Sequence, residues 1–409
     1  MRSARVFFLN RFYWPDETAT AQLLHDLTTA LASRGFQVVV VTSQSEKANT
    51  PRFEDRDGVR ICRVRTTRLG RGSLLGRVFD FLTYYTGAMC RLAVELRPGD
   101  VIVPMTDPPL LGACAWVIAH CRRAVTINWV QDVYPEVAIA LTRHSWLRLS
   151  RPWRNRAWRS SFACVVPGLD MKRTVLENAV PSHRVVVSPN WAPAGVQVPD
   201  ANAVESLRAK WELSGKFVVM YSGNLGRVHD LHPLIGVAEL LRDEAGIVFL
   251  FVGHGAHRVT LESAAKHRGL TNVMFRPPQP RHDLSVSLAV GDVHLVTLLP
   301  GAEQWVFPSK LYGLTQAGRP TIFIGNTESE IARLIVQNDI GVAFSRHSPS
   351  AIVEAIRRLK ADEPRLSRMR SAALRFSAGN LDAAIGSWQQ LLTDGLAAGA
   401  ADSAYQDTK

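Results

Sequence analysis

The feature that most constrains this chain is a set of short runs that are apolar at every position instead of at every second one. FVVMYSG (217–223), IVFLFVG (247–253), DVHLVTL (292–298) and PTIFIG (320–325) are of this kind. Such strands bury both faces, which happens where a parallel sheet is covered by helices on both sides. Helical periods near 232–242 and 257–268 separate them, and the spacing suits crossover connections. The N-terminal part repeats the pattern. RVFFLN (5–10) reads as a strand, TAQLLHDLTTALASRG (20–35) as an amphipathic helix closed by Gly35, and FQVVVVT (36–42) as the next strand. DVIVPM (100–105), AVTINWVQD (124–132) and FACVVPG (162–168) continue it less clearly.

At 409 residues the chain exceeds one ordinary domain. The Pro-rich stretch SPNWAPAGVQVPDANA (188–203) separates the two patterned halves and reads as a linker. The expected architecture is α/β, with two Rossmann-like, doubly wound parallel-sheet domains facing each other across a cleft. The first covers 1–190, a linker 191–203, and the second 204–375. A C-terminal helix over 376–396 is expected to pack back on the first domain, and 397–409 is expected to be a disordered tail. Ligands in such folds sit beyond the carboxyl ends of the strands.

The five cysteines include no CxxC pair, which argues against a disulfide framework or a structural zinc site and for a reduced, cytoplasmic setting. MRSARVFFLN reads as a first strand, not a signal peptide. The most apolar later run, 101–119, is broken by Asp107 and Pro108-Pro109, so no membrane-spanning segment is expected.

A net charge of +12 implies an anionic partner. Basic residues crowd into TTRLGRGSLLGRVF (66–79) and RHSWLRLSRPWRNRAWR (143–159), where Trp146, Trp153 and Trp158 interleave with arginines. That mixture suits an anionic membrane surface. The alternative is a solvated face whose tryptophans pack inward. No helix-turn-helix, zinc-finger or RNP pattern accompanies the charge, so nucleic acid is not the expected partner.

Three glycine-bearing turns follow strands of the second half. YSGNLGRVHD (221–230) places Gly223, Asn224 and Gly226 where backbone can approach a ligand, with Arg227 offering donors to phosphate. GHGAHR (253–258) brings Gly253, His254 and Gly255, and taken by itself reads as a tight strand-to-helix connection. In VFPSKLYGLTQAGRP (306–320), Ser309 is a candidate N-cap, and the helix from Lys310 would aim its dipole at the same edge. Three such loops with Arg227 and Lys310 describe an anion site suited to a diphosphate.

YSGNLGR, the GHG turn, DVHLVTL and PSKLYGLTQAGRP, with NRFYWPDETATAQLLHDLTTALASRG and VQDVYPE in the first half, resemble the family-4 glycosyltransferases of GT-B fold, in particular those of bacterial capsule, colanic-acid-type exopolysaccharide and O-antigen synthesis. The likeness runs over about 1–395. It implies a nucleotide-sugar donor, UDP-linked, on the C-terminal domain and a saccharide or lipid-linked acceptor on the N-terminal one. It also implies retention of anomeric configuration, no metal or other cofactor, and a place at the inner face of the cell membrane. Carried over residue by residue, the donor side comprises Gly223, Asn224, Gly226, Arg227, Gly253, His254, Gly255, Pro308, Ser309, Lys310 and Leu311, and the acceptor side Asp16, Glu17, Thr18, Ala19, Tyr134 and Glu136. Arg227, Lys310 and Asp132 are the catalytic candidates, Asp132 being equally readable as a helix N-cap.

The sequence departs from the family at two glutamates eight residues apart, whose places are taken by Trp305 and Gly313, with Glu303 nearby as a substitute. The lysine of the family's GR…K phosphate motif falls near His229, and the usual glycine pair of the first loop is replaced by Thr18-Ala19. Lys310 and Arg227 then carry more of the phosphate charge. Two rival functions are a nucleotide-sugar 2-epimerase, which needs general acid–base residues, and a non-catalytic membrane-bound scaffold with a decayed donor site.

Overall fold

The computed structural model describes residues 4–45, 49–70 and 74–407. They form two compact units. One comprises Met1–Asn190, Gln304–Val306 and Leu381–Lys409, and the other Trp191–Glu303 and Phe307–Asn380.

The sheet of the first unit holds β1 (Val6–Leu9), β2 (Val38–Ser43), β3 (Phe53–Arg56), β4 (Val59–Val64), β5 (Val101–Pro104), β6 (Val125–Trp129), β7 (Ala163–Val166) and β8 (Val185–Val187). Their order is β3-β4-β2-β1-β5-β6-β7-β8, parallel except for the β3–β4 hairpin. The order reverses between β1 and β5, which makes that the point where strand-end loops diverge and leave room for a ligand. Phe7, Leu9, Val39, Val41 and Ile102 pack beneath Tyr84, Ala88 and Leu92 of the helix Leu74–Glu95. The β3–β4 pair, absent from the sequence-based expectation, turns on Asp57-Gly58, both at positive φ (51° and 76°) as a two-residue hairpin requires.

The sequence-based expectation is wrong for the end of the chain. Instead of a disordered tail from 397, the helix Asn380–Asp407 runs on, and it begins later than residue 376 because the helix Glu363–Ser377 precedes it. Trp388 anchors it, its ring centroid 4.9 Å from that of Trp129 and 6.3 Å from that of Phe8. Small residues carry the contact further. A Cβ on Gly395 would lie 3.3 Å from Ile127, and one on Gly399 only 3.0 Å from the Gly99 Cα, so this helix lies against the unit more closely than a side chain would allow.

The second unit has β9 (Phe217–Ser222), β10 (Ile247–Val252), β11 (Val273–Arg276), β12 (Val293–Thr297), β13 (Thr321–Ile324) and β14 (Gly341–Phe344), in the order β11-β10-β9-β12-β13-β14 and parallel throughout. Its reversal lies between β9 and β12. Residues 191–203 are not a free linker. Trp191 is buried, Val196 joins the core of Leu288, Val296 and Phe323, and Asp200 caps the helix Ala201–Lys210 by accepting the Ala203 N–H at 3.2 Å. The prolines bend the segment, and the apolar residues between them supply its packing.

Candidate active site

At the carboxyl edge of the second unit, the loops after β9, β10 and β12 meet. The β10 loop is bonded to the β9 loop, with the Leu225 N–H donating to the His254 carbonyl at 2.8 Å and the His257 N–H to the Leu225 carbonyl at 3.0 Å. This explains the glycines of the GHG turn. A Cβ on Gly253 would lie 2.0 Å from the Gly223 carbonyl oxygen, and one on Gly255 would lie 2.6 Å from the backbone of Leu225. Both are needed for loop-on-loop packing, and the Asn224 side chain fills the space between Gly226 and Gly255. Gly223 differs. At φ 126° it leaves its free side toward the Lys310 ammonium, 3.5 Å from where a Cβ would stand.

Lys310 lies at the switch point. Its ammonium sits 3.7 Å above the ring centroid of Tyr221, the next-to-last residue of β9, whose neighbours in the sheet are β10 and β12. The Nζ is buried and has no hydrogen-bond partner. Burial alone draws its pKa down from 10.5 to about 7. A buried ammonium held only by a ring face is a cation whose counter-charge is missing. Arg227, by contrast, is exposed. His229, at the place of the family's lysine, cannot replace that cation. Its ring is buried, with Nδ1 2.7 Å from the Thr297 carbonyl, and desolvation followed by repulsion from Lys310 pushes its pKa down to about 3.

The expectation of Ser309 as a helix N-cap is corrected. Ser309 has αR backbone angles and makes no side-chain cap, and the helix Lys310–Gln316 is short. Its opening N–H groups are partly used already, Leu311 donating to the Pro308 carbonyl and Tyr312 to that of Ser309, both at 3.1 Å. Leu311 faces the core with Val296 and Phe323, and Pro308 is buried too. At Gly313 a Cβ would meet nothing closer than Leu288 Cδ1 at 3.8 Å, and the glycine itself supplies no carboxylate. Glu303 is buried at the loop's other end, with Oε1 accepting the Asn326 N–H at 3.0 Å.

At the corresponding edge of the first unit, the structure brings Asp132 beside Asp107, a residue the sequence marked only as a break in an apolar run. The two follow the adjacent strands β6 and β5, and the Asp132 N–H donates to the Thr106 hydroxyl at 3.1 Å. Desolvation raises the Asp132 carboxyl to about 7, with the Asp107 charge adding to it, and desolvation raises Asp107 to about 6, partly offset by Arg11. Asp132 is not a helix cap, since Pro135 precedes the helix Glu136–Thr142. The Tyr134 hydroxyl is held protonated by burial and by both carboxylates. If Asp132 works ionised, Asp107→Asn removes a like charge, its pKa falls, and the acid limb of the pH–rate profile moves to lower pH. An unmoved limb would dissociate Asp107 from the site.

The other acceptor-side candidates have structural partners. Thr18 caps the helix Ala19–Ser33 by accepting the Ala21 N–H at 3.3 Å, so Ala19 is simply its first residue. Asp16 accepts the Ser45 hydroxyl at 2.7 Å, and the Glu17 carbonyl, on an exposed residue, accepts the Gln22 side-chain amide. Glu136 has partners as well. It is buried in a two-point ion pair with Arg154 at 2.9 and 3.1 Å, with Arg151 at 3.1 Å.

The basic clusters divide accordingly. Arg154 and Trp158 turn inward, with the guanidinium 4.1 Å over the indole. Trp146, Leu149 and Trp153 are exposed, Leu149 by 82%. In the first cluster, 71–73 lie outside the described residues, but Leu75, Val78, Phe79 and Leu82 form an exposed stripe at helical spacing, opposite the buried Tyr84, Ala88 and Leu92. The helix Leu111–Arg122 packs against both Leu74–Glu95 and Arg151–Ser160, so the two clusters belong to one helical layer. Among the described residues, no helix is long and apolar enough to cross a membrane, and no group of three or more His, Cys, Asp or Glu is placed to hold a metal.

With this geometry in hand, comparison with known proteins is decisive. Residues 18–191 match a glycosyl transferase 4-like domain and residues 203–376 match glycosyl transferases group 1. The chain belongs to the GT-B glycosyltransferases built from these two domains. It is 34% identical over 191 residues to WcaI of Escherichia coli K12, a glycosyl transferase assigned to colanic acid biosynthesis, a stretch that spans 46% of each chain. It is 26% identical over 367 residues to the glycosyltransferase WbjE of Pseudomonas aeruginosa, covering 86% of this chain and 88% of that one. Among solved structures, Anabaena HepE in complex with UDP superposes with a TM-score of 0.72 at 12% identity, over 96% of this chain and 100% of that one. WaaG, a glycosyltransferase involved in lipopolysaccharide biosynthesis, gives 0.66 at 17% identity, over 91% and 95%. At these identities the structural likeness establishes the fold.

Proposed function

We propose that this glycosyltransferase transfers a sugar from a UDP-linked donor to a saccharide or lipid-linked saccharide in cell-surface polysaccharide synthesis, with retention of configuration and without a metal. The observation that carries the reading is the Lys310 ammonium, buried without a partner at the switch point of the second unit. An anion completes that site, and a departing nucleoside diphosphate is the anion this family's chemistry generates. As the anomeric C–O bond to the diphosphate breaks, charge develops on the leaving phosphate and Lys310 and Arg227 stabilise it there. The acceptor hydroxyl attacks from the face the phosphate leaves, forming the new C–O bond, and its proton passes to that phosphate. Asp132 orients the acceptor. The complexes of HepE with UDP and with UDP-glucose support the choice of nucleotide, and the names of WcaI and WaaG support the class of product.

Incubation with a panel of labelled nucleotide sugars and extracted lipid-linked acceptors tests this. Transfer to acceptor supports it, whereas an epimerised donor or no turnover selects one of the rival functions. Turnover is expected to persist in excess EDTA, because the lysine and arginine neutralise the diphosphate. Complete loss on chelation, restored by magnesium or manganese, overturns the metal-independent mechanism.

The same reading places the enzyme in the cytoplasm, peripherally on an anionic membrane. The exposed Leu75, Val78, Phe79 and Leu82 stripe and the Trp146, Leu149 and Trp153 patch support it, because apolar groups amid arginines suit the headgroup boundary. Sedimentation with anionic vesicles is expected to be strong at low salt and to weaken as salt rises. Equal binding to neutral vesicles would remove the electrostatic part of the proposal.

A further inference from the structure

At the amino edge of the second sheet, the edge opposite Lys310, three arginines surround one carboxylate. Asp292 and Arg319 stand just before β12 and β13, and Arg208 and Arg370 come from the helices Ala201–Lys210 and Glu363–Ser377. Asp292 is largely taken by one of the three. It accepts Arg208 at 3.4 and 3.3 Å and the Val218 N–H at 2.7 Å, whereas the Arg370 Nη2 stands 3.9 Å away. Arg370 is paired with Glu363 at 2.5 Å, but that carboxylate is 67% exposed and screened by water.

Arg319 has the weakest set of contacts. Its Nη1 donates to the Gly291 carbonyl at 3.4 Å, its Nε is buried without a partner, and among the described residues Asp292 forms ion pairs with Arg208 and Arg370 and not with it. The Nε of Arg370 is buried and unpartnered too. Arg11, Arg91 and Arg151 share such an Nε, but each has its own carboxylate, in Asp80, Glu95 and Glu136. Burial, and then repulsion from Arg370, draws the Arg319 pKa down from 12.5 to about 10, and Asp292 offsets only part of this. Three guanidinium groups therefore face two carboxylates, with N–H donors left over. An oxyanion supplies what is missing, and a tetrahedral phosphate has oxygens enough to meet two guanidinium forks at once.

We infer that Arg319 and Arg370 form a second anion site on this unit, at the sheet edge away from the donor loops, and that it takes the phosphate group of a small solute. The inference does not depend on what binds at Lys310.

The test titrates inorganic phosphate calorimetrically into the full chain, with ionic strength held constant by chloride. It uses the wild type, Lys310→Met, and Lys310→Met combined with Arg319→Gln or with Arg370→Gln, and records the melting temperature of each without phosphate. Lys310→Met removes the other cation to which phosphate would go. The expected result is one phosphate site that persists in Lys310→Met and is weakened about tenfold to a hundredfold by either glutamine, as for a hydrogen bond to a charged group. Arg319→Gln should leave the melting temperature unchanged or raised, because a buried guanidinium without a counter-charge is removed. Arg370 is partly in solvent, so its variant carries the test if Arg319→Gln fails to fold. Absence of phosphate binding in Lys310→Met overturns the inference, and so does binding that survives both glutamine substitutions. A melting temperature lowered by Arg319→Gln with phosphate affinity unchanged makes the arginine structural and overturns it as well.

Discussion

Lys310→Met is expected to lower kcat/KM by about 10²–10³-fold while raising the melting temperature. Removing one preorganised donor from a developing oxyanion costs about 2.7–4 kcal/mol of transition-state stabilisation, which sets the kinetic expectation. Methionine keeps the unbranched stem over Tyr221 but takes away a buried ammonium that has no counter-charge, so the unliganded fold loses a penalty and no ion pair. The two effects have opposite signs, and that separates a binding lysine from a structural one. The pH dependence follows from the same burial. With its pKa drawn down to about 7, Lys310 is largely neutral in the empty site at pH 8. Diphosphate favours the charged form, so binding takes up a proton, and affinity falls as pH rises above 7. Calorimetry in buffers of different ionisation enthalpy checks this. Near-normal turnover together with a lower melting temperature would place the diphosphate elsewhere.

The fold was legible wherever strands bury both faces. VFFL, VVVV, IVFLFV and TIFI leave little room for another assignment, and every strand read from such a run is present, with ends displaced by a residue or two. Most of the strands that escaped are edges. Phe53–Arg56 and Val185–Val187 are the two edges of the first sheet, and Val273–Arg276 and Gly341–Phe344 those of the second, while Val59–Val64 is the hairpin partner of Phe53–Arg56. An edge strand loses one neighbour and with it the full apolar pattern. For the hairpin the sequence did carry a signal, the Asp57-Gly58 pair, which periodicity alone passes over. The last helix was misread because a run of alanine and glycine has no apolar period, while in the fold those small residues allow close approach.

The site was legible where one residue type sits in an unusual place. A lysine between a proline-serine pair and an apolar helix stands out in the sequence. Its burial, its place over Tyr221 and its lack of a partner depend on β9 and β12 being neighbours, which takes the assembled sheet to see. Asp107 and Asp132 are 25 positions apart and meet because β5 and β6 pair. The glycines of the GHG turn are accounted for by the loop beside them, in keeping with its reading as a tight strand-to-helix connection. The arginine-rich segment was read as one surface, whereas burial divides it between an ion pair and an exposed face.

Arg154→Leu and Glu136→Gln test that division, and the first is expected to be the most destabilising substitution considered. The Arg154 guanidinium is 3% exposed and donates to both Glu136 oxygens, to the Tyr134 carbonyl at 2.9 Å and to the Asn155 side chain at 2.7 Å. Leucine leaves a buried carboxylate with only Arg151 beside it, and breaking a buried pair from one side costs about 3–5 kcal/mol. In a unit of this size each kcal/mol moves the transition by about 2–4 °C, so its melting temperature falls by roughly 6–20 °C. Glu136→Gln keeps the volume and one acceptor oxygen but leaves the buried Arg154 guanidinium without a carboxylate, so its melting temperature falls as well. Assayed well below the transition, Glu136→Gln should show an unchanged KM for acceptor. A raised acceptor KM at an unaltered melting temperature would instead return Glu136 to the acceptor site, and the ion pair would then be a means of aiming it.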